Sequence, residues 1–286
     1  MLENAAPVDV ALAPTVEEFA ERYVRCERPV VVRGGVKDWP PLYKWTPEYL
    51  KAQCGTRRLK IGVSKNGDYV DYADRLKIGV EPEVALAKAV DDIFAPANAE
   101  QKCRVHQQSL KKWGGALHDE STPIPYVLGK VIAKNIWMGS TANVTKTHYD
   151  MEDNINVQLL GRKEIILFPS TQLDDLYPRS AWDYMSNFSR VDIEMPDLSR
   201  YPRFSRATPL RAILEPGDFI YIPIYWWHQF RTLEASLNVN FFWQASAAQA
   251  LRRHGLHYWP RMARDLYLPR TIWRTVSHSI GSLFAR

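Results

Sequence analysis

The sequence predicts a mainly β protein, a barrel or two-sheet jelly roll with helical additions at its N- and C-termini. Three observations predict this. At least six short runs rich in β-branched and aromatic residues, punctuated by Gly or Pro, follow one another between Val131 and Trp243. Ahead of them, helix and strand signals alternate over the first hundred residues. From Ala245 the pattern turns helical again. With no internal repeat, low-complexity tract or linker, the expectation is one domain over residues 1–286. It comprises an α/β elaboration (1–100), a barrel core (about 103–243) and C-terminal helices (245–286).

The elements follow in order. Thr15 with Glu18 forms a capping box that opens a helix running to about Cys26. PVVVRGG, Pro29 to Gly35, reads as a buried strand ended by glycines. Thr46-Pro47 starts a second helix that Gly55 closes. Arg57 to Ser64 reads as a strand, Asn66-Gly67 as a hairpin turn, and Glu83 to Phe94 as a helix. The barrel runs are VIAKNIWMG (131–139), INVQLLG (155–161), KEIILFP (163–169), PLRAILEPGD (209–218), FIYIP (219–223) and LNVNFFW (237–243). A polar, Pro-containing excursion from Tyr177 to Thr208 is too long for a hairpin and reads as a substrate-facing loop.

Composition excludes several classes. Apolar residues make up 46% and charged residues 24%, enough for a full core. The net charge of +5 is scattered, which argues against a nucleic-acid surface. Cys26, Cys54 and Cys103 are odd in number and widely spaced, so neither a disulfide framework nor a CxxC zinc site is expected. The start lacks the charged and apolar regions of a secretory signal, and no apolar window is long enough to span a membrane. A reducing, cytoplasmic setting is the default.

The chemistry concentrates in TKTHYDMEDN. In an extended strand His148 and Asp150, two apart, project to one face. Pro216-Gly217-Asp218, a strand from Phe219 to Ile222 and a break at Pro223 allow the chain to return His228 to that pair. Two imidazoles and one carboxylate form the facial triad of non-haem Fe(II) oxygenases, with open positions for cosubstrate and O2. A structural zinc site would use four protein ligands, usually with cysteine. Alternation also puts Lys163 on the apolar face of Ile165 and Leu167, where a buried ammonium calls for an anionic ligand. Thr145 and Asn154 flank the His/Asp pair and Asn240 sits on the last strand, each able to donate a hydrogen bond to a chelated cosubstrate.

NVTKTHYDMEDNINVQLLGRKEIILFP, followed by PGDFIYIPIYWWHQF and NVNFFW, resembles the JmjC/cupin-8 branch of 2-oxoglutarate oxygenases. Within that branch the likeness is greatest to the asparaginyl hydroxylase that inhibits hypoxia-inducible factor. It is dense from about Asn135 to Trp243, taking in Leu176–Pro178, Val191–Asp197 and Arg200–Phe204, and thins back to VVVRGGVKDWP. The resemblance implies a double-stranded β-helix core, with Fe(II), 2-oxoglutarate and O2. Its iron ligands match His148, Asp150 and His228; its far-carboxylate contacts match Thr145 and Lys163; its amide contacts match Asn154 and Asn240. Gln107 and Trp243 match substrate-side positions. Val105 stands where a cosubstrate-contacting tyrosine is expected, with His106 facing the other way. The implied reaction hydroxylates an unactivated C–H of a protein or peptide side chain, giving succinate and CO2. A small molecule or tRNA base as substrate, or an inactive cupin-type binding protein, are the alternatives. Homodimerisation through the C-terminal helices is implied as well, resting on Leu256, Trp259, Leu266, Ile272, Trp273, Ile280 and Phe284.

Overall fold

Side chains alternate across a strand, so each strand of a two-sheet fold must commit one face to the interior and cover the other. The computed structural model describes residues 2–69, 82–180, 183 and 185–244. Ten strands build the core: β1 (Val30–Arg33), β2 (Lys102–Ser109), β3 (Val131–Gly139), β4 (Val144–Tyr149), β5 (Asp153–Leu160), β6 (Lys163–Phe168), β7 (Leu210–Leu214), β8 (Phe219–Ile222), β9 (Trp227–Thr232) and β10 (Ser236–Trp243). The major sheet runs β1-β8-β5-β10-β3-β2, flanked by Asp9–Leu12 beside β1 and Gly62–Ser64 beside β2. The minor sheet runs β7-β6-β9-β4, with Ala6–Pro7 beside β7. From β4 onward successive strands fall in opposite sheets, except β6 and β7, which pair within the minor sheet and are joined by the long excursion. This is the expected mainly β, jelly-roll core.

Three apolar layers hold it together. Ile155, Val157 and Leu159 of β5, Val239 and Phe241 of β10, and Ile136 and Met138 of β3 point outward from the major sheet. They pack beneath N-terminal helices through Phe19, Leu50, Leu86 and Val90. Between the sheets lie Val31, Ile220 and Ile222 from one side and Ile165, Leu167 and Phe230 from the other. Outside the minor sheet, Ile166, Phe168 and Trp227 are covered by Leu176 and by Val191 and Phe204 of the excursion that follows it. The excursion thus has a core of its own, anchored on β4 where Tyr149 N donates to Asn187 O (3.1 Å).

Local signals resolve as follows. Thr15 and Glu18 make both reciprocal bonds of the capping box, and Thr46 Oγ1 accepts from Tyr49 N ahead of Pro47. The helix expected from Glu83 starts at Leu86, because Glu83–Ala85 pairs instead with Arg58–Lys60. The strand expected over 57–64 breaks at Ile61, and its second half pairs with β2, while the segment in which a hairpin through Asn66-Gly67 would return falls largely outside the described residues. The C-terminal helices and every dimerisation residue named for them lie outside the described residues. Among the described residues no helix is long and apolar enough to cross a membrane.

One turn carries Lys163 into place. Gly161, between β5 and β6, has φ +63°, and a Cβ built there would lie 2.2 Å from Ala235 O. Gly161→Ala is therefore expected to lower unfolding stability by about 1–3 kcal/mol, read as a reduced urea midpoint with unchanged slope.

Candidate metal centre

His148 and His228 pair directly across β4 and β9, with ring centroids 4.3 Å apart. Asp150 follows β4, and its carbonyl accepts from Tyr225 N (2.9 Å) at the turn that leads into β9. Tyr225 adopts φ +62° there. One backbone bond thus ties the carboxylate-bearing residue to the strand that delivers His228. Asp150 oxygens stand 3.9 Å from His148 Nε2 and 3.6 Å from His228 Nε2. One donor atom from each of the three lies within 4.8 Å of the others, a spacing that fits a single metal ion.

Both imidazoles are oriented from behind. His148 Nδ1 lies 2.8 Å from Lys146 O, and His228 Nδ1 lies 3.0 Å from Trp226 O. A carbonyl only accepts, so each Nδ1 carries the proton and each Nε2 offers its lone pair toward Asp150. Burial, reinforced by His148, lowers the pKa of His228 to about 4, leaving it neutral as a metal requires. Phe188 from the excursion stacks on His148 at 5.0 Å. Behind the turn, Asp153 accepts from Tyr221 Oη and Ile224 N, which holds the approach to β9 against the start of β5.

A β-bulge brings Thr145 to the same side. Thr145 pairs with Phe230 and His148 with His228, so Lys146 and Thr147 together oppose Gln229. Thr147 Oγ1 hydrogen-bonds Gln229 Oε1 on the outer face. Without the extra residue, strict alternation would put Thr145 and His148 on opposite faces.

Lys163 lies on the inner face of β6 with Ile165 and Leu167, which pair with Phe230 and His228. It is 8% exposed, and no carboxylate pairs with it among the described residues. Burial alone lowers its pKa to about 7. Its Nζ donates to Asn238 Oδ1. From there a row of amides crosses the interior. Asn238 Nδ2 meets Asn240 Oδ1 (3.5 Å), Asn240 Nδ2 donates to Asn154 Oδ1 (3.0 Å), and Asn154 Nδ2 meets Asp150 Oδ2 (3.4 Å). Asn135 Nδ2, Trp137 Nε1, Asn156 Oδ1, Gln158 Oε1 and Ser236 Oγ are buried on the same inner face without a hydrogen-bond partner among the described residues. A buried cation facing unpaired polar groups fits a polar, anionic ligand better than an apolar one.

Three expectations change. Trp243 is three residues from Asn240 and so faces the opposite side; it stacks on Tyr221 in the outer core, while Phe242 holds the inward position. Val105 pairs with Met138 and is buried in the same outer core, whereas His106 takes the inner face, edge-on to Trp137 at 4.6 Å. Solvent reaches the His106 ring, yet surrounding protein, Arg104 and His148 push its pKa down to about 3. Gln107 is exposed at a bulge in β2 with φ +45°, outside that inner row. Asn238 was missed, although Asn238 and Asn240 alternate with apolar neighbours, as do Asn154, Asn156 and Gln158.

A family model described as Cupin-like domain matches residues 16–249. The chain belongs to the Cupin-like domain family. This Cupin-like chain is 30% identical to Lysine-specific demethylase 8 of Xenopus tropicalis, over 85% of the chain and 54% of that protein. It is 31% identical to Lysine-specific demethylase JMJ30 of Arabidopsis thaliana, over 82% and 54%. It is 27% identical to the human Bifunctional peptidase and (3S)-lysyl hydroxylase JMJD7, over 80% and 81%. The chain thus spans about half the length of the first two. These relatives carry the JmjC/cupin-8 resemblance; the narrower likeness to an asparaginyl hydroxylase is not shown by them. JmjC oxygenases use Fe(II), 2-oxoglutarate and O2, and the two imidazoles, carboxylate and buried ammonium of this Cupin-like chain fit the first two.

Proposed function

We propose that the protein is an Fe(II)/2-oxoglutarate-dependent dioxygenase that hydroxylates an unactivated C–H bond on a protein or peptide side chain, forming succinate and CO2. The observation that carries this reading is the meeting of His148, Asp150 and His228 in the same interior as a buried Lys163. The three donors would hold the iron, with both imidazoles locked as Nε2 ligands. Iron with 2-oxoglutarate bound would supply O2 activation and hydrogen abstraction from the substrate carbon. The chain's own part is positional. Lys163 and Thr145 would hold the far carboxylate, and Asn154 and Asn240 would contact the near end of the cosubstrate. Phe188 and Phe230 line the approach with apolar surface and limit water around the triad. Gln107, exposed at the rim, stays a substrate-side candidate.

The names of the relatives favour a second outcome of the same chemistry, hydroxylation of an N-methyl group on lysine followed by its loss. Purified protein with Fe(II), ascorbate and 2-oxoglutarate should convert the cosubstrate to succinate in the presence of a peptide panel, and His148→Ala should reduce turnover at least about a thousandfold. Mass spectrometry of the peptides separates the outcomes: gain of one oxygen atom for hydroxylation, loss of one methylene for demethylation. An inactive binding protein would instead show no succinate, and full biological activity in His148→Ala.

A further inference from the structure

Asn238 stands between Lys163 and Asn240, the residues proposed to hold the two ends of the cosubstrate. It is 1% exposed on the inner face of β10, two residues before Asn240, and opposite Trp137 and Gln158. Its Oδ1 accepts from Lys163 Nζ, and its Nδ2 faces Asn240 Oδ1 at 3.5 Å. Every amide in the row donates in one direction, away from Lys163 and toward Asp150. The orientation of Asn238 is therefore set from both sides, since an ammonium has only donors and must meet an oxygen.

The residue type at 238 decides what Lys163 can do. A carboxylate there would pair with the ammonium inside the protein and leave no uncompensated charge for a ligand. A short or apolar side chain would leave a buried donor without an acceptor and the long lysine side chain without a fixed position. An amide oxygen satisfies the hydrogen bond and leaves the charge available. We propose that Asn238 is a positioning residue for the far carboxylate of the cosubstrate, holding the Lys163 ammonium in place without neutralising it. This rests on the reading of Lys163 as the anion-binding residue.

The test uses the full chain loaded with Mn(II) in place of Fe(II), with no turnover required. Calorimetric titration compares 2-oxoglutarate with 2-oxobutyrate, which keeps the keto-acid end but lacks the far carboxylate. Asn238→Asp is expected to weaken 2-oxoglutarate binding roughly 30-fold or more while shifting 2-oxobutyrate and Mn(II) by less than about threefold. In a Lys163→Met background the same substitution should add almost nothing, because its effect runs through the ammonium. Asn238→Ser, a smaller change, should weaken 2-oxoglutarate alone by about three- to tenfold, so the proposal stays testable if the Asp variant does not fold. Equal losses for both ligands, or an undiminished effect in the Lys163→Met background, would show a merely structural role and overturn it. If the unaltered protein bound neither Mn(II) nor 2-oxoglutarate, the proposed function would fail too, an outcome recognisable because no variant is involved.

Discussion

Lys163→Met is expected to give a protein more stable than the unaltered one that binds 2-oxoglutarate far more weakly. Lys163 is buried beside Ile165 and Phe230 with an amide oxygen and, among the described residues, no carboxylate. Lowering its pKa from 10.5 to about 7 corresponds to a cost to folding on the order of 4–5 kcal/mol at low pH. Methionine has similar length and no charge. Its introduction leaves Asn238 Oδ1 without a donor, which costs about 1–3 kcal/mol. The first magnitude exceeds the second, so the net gain should be about 1–4 kcal/mol, as for other buried charges replaced by apolar residues.

The sign with pH follows from linkage. The unfolded lysine stays protonated up to 10.5, the folded one only to about 7, so between these values the unfolded state binds more protons. Stability of the unaltered protein therefore gains from this group as pH rises through that window, and below about 7 the penalty is complete. The advantage of Lys163→Met should be largest near pH 6 and shrink toward pH 10, measured by urea unfolding of metal-free protein. Ligand binding runs the other way: the anion needs the ammonium, so 2-oxoglutarate affinity should fall above about pH 7, by up to roughly tenfold per unit. A destabilised Lys163→Met at low pH would mean that an anion inside the protein already compensates the charge.

What could be read before the structure, and what could not, follows from period and parity. Lys163 was legible because β6 is regular: positions 163, 165 and 167 share a face without interruption. The His148/His228 pairing was legible because Pro223 and the turn after it announce a reversal. Thr145 reaches the inner face only through the bulge at Lys146-Thr147, and an extra residue in a strand leaves no mark in composition. The same parity rule, applied from Asn240, places Phe242 inward and Trp243 outward; motif likeness had obscured it. In β2 the reading of Val105 was one residue out, because the outer core claims Val105 through Met138 and leaves His106 the inner face. The amide row was visible as Asn-x-Asn on β10 and Asn-x-Asn-x-Gln on β5. Asparagine generally favours turns over strand interiors, and only the sheet register shows that these side chains face one another.

Asp150→Asn should separate the metal from the fold. The backbone bond from Tyr225 N to Asp150 O does not involve the side chain, and the contact from Asn154 Nδ2 to the carboxylate is long at 3.4 Å. The metal-free variant is therefore expected to unfold within about 1 kcal/mol of the unaltered protein. Metal binding should respond differently. Asp150 is the one anionic donor of the three, and a neutral amide oxygen in its place should weaken Mn(II) binding roughly a hundredfold. Mn(II) at a hundred times its dissociation constant stabilises a folded protein by about 2.7 kcal/mol. That gain should raise the melting temperature of the unaltered protein and be almost absent in Asp150→Asn at the same concentration. Lys163→Met supplies the contrast: it should retain the metal-induced rise while losing the further rise with 2-oxoglutarate, since its ammonium lies beyond the amide row from the triad. A full metal-induced rise in Asp150→Asn would place the ion elsewhere and remove the triad from the mechanism.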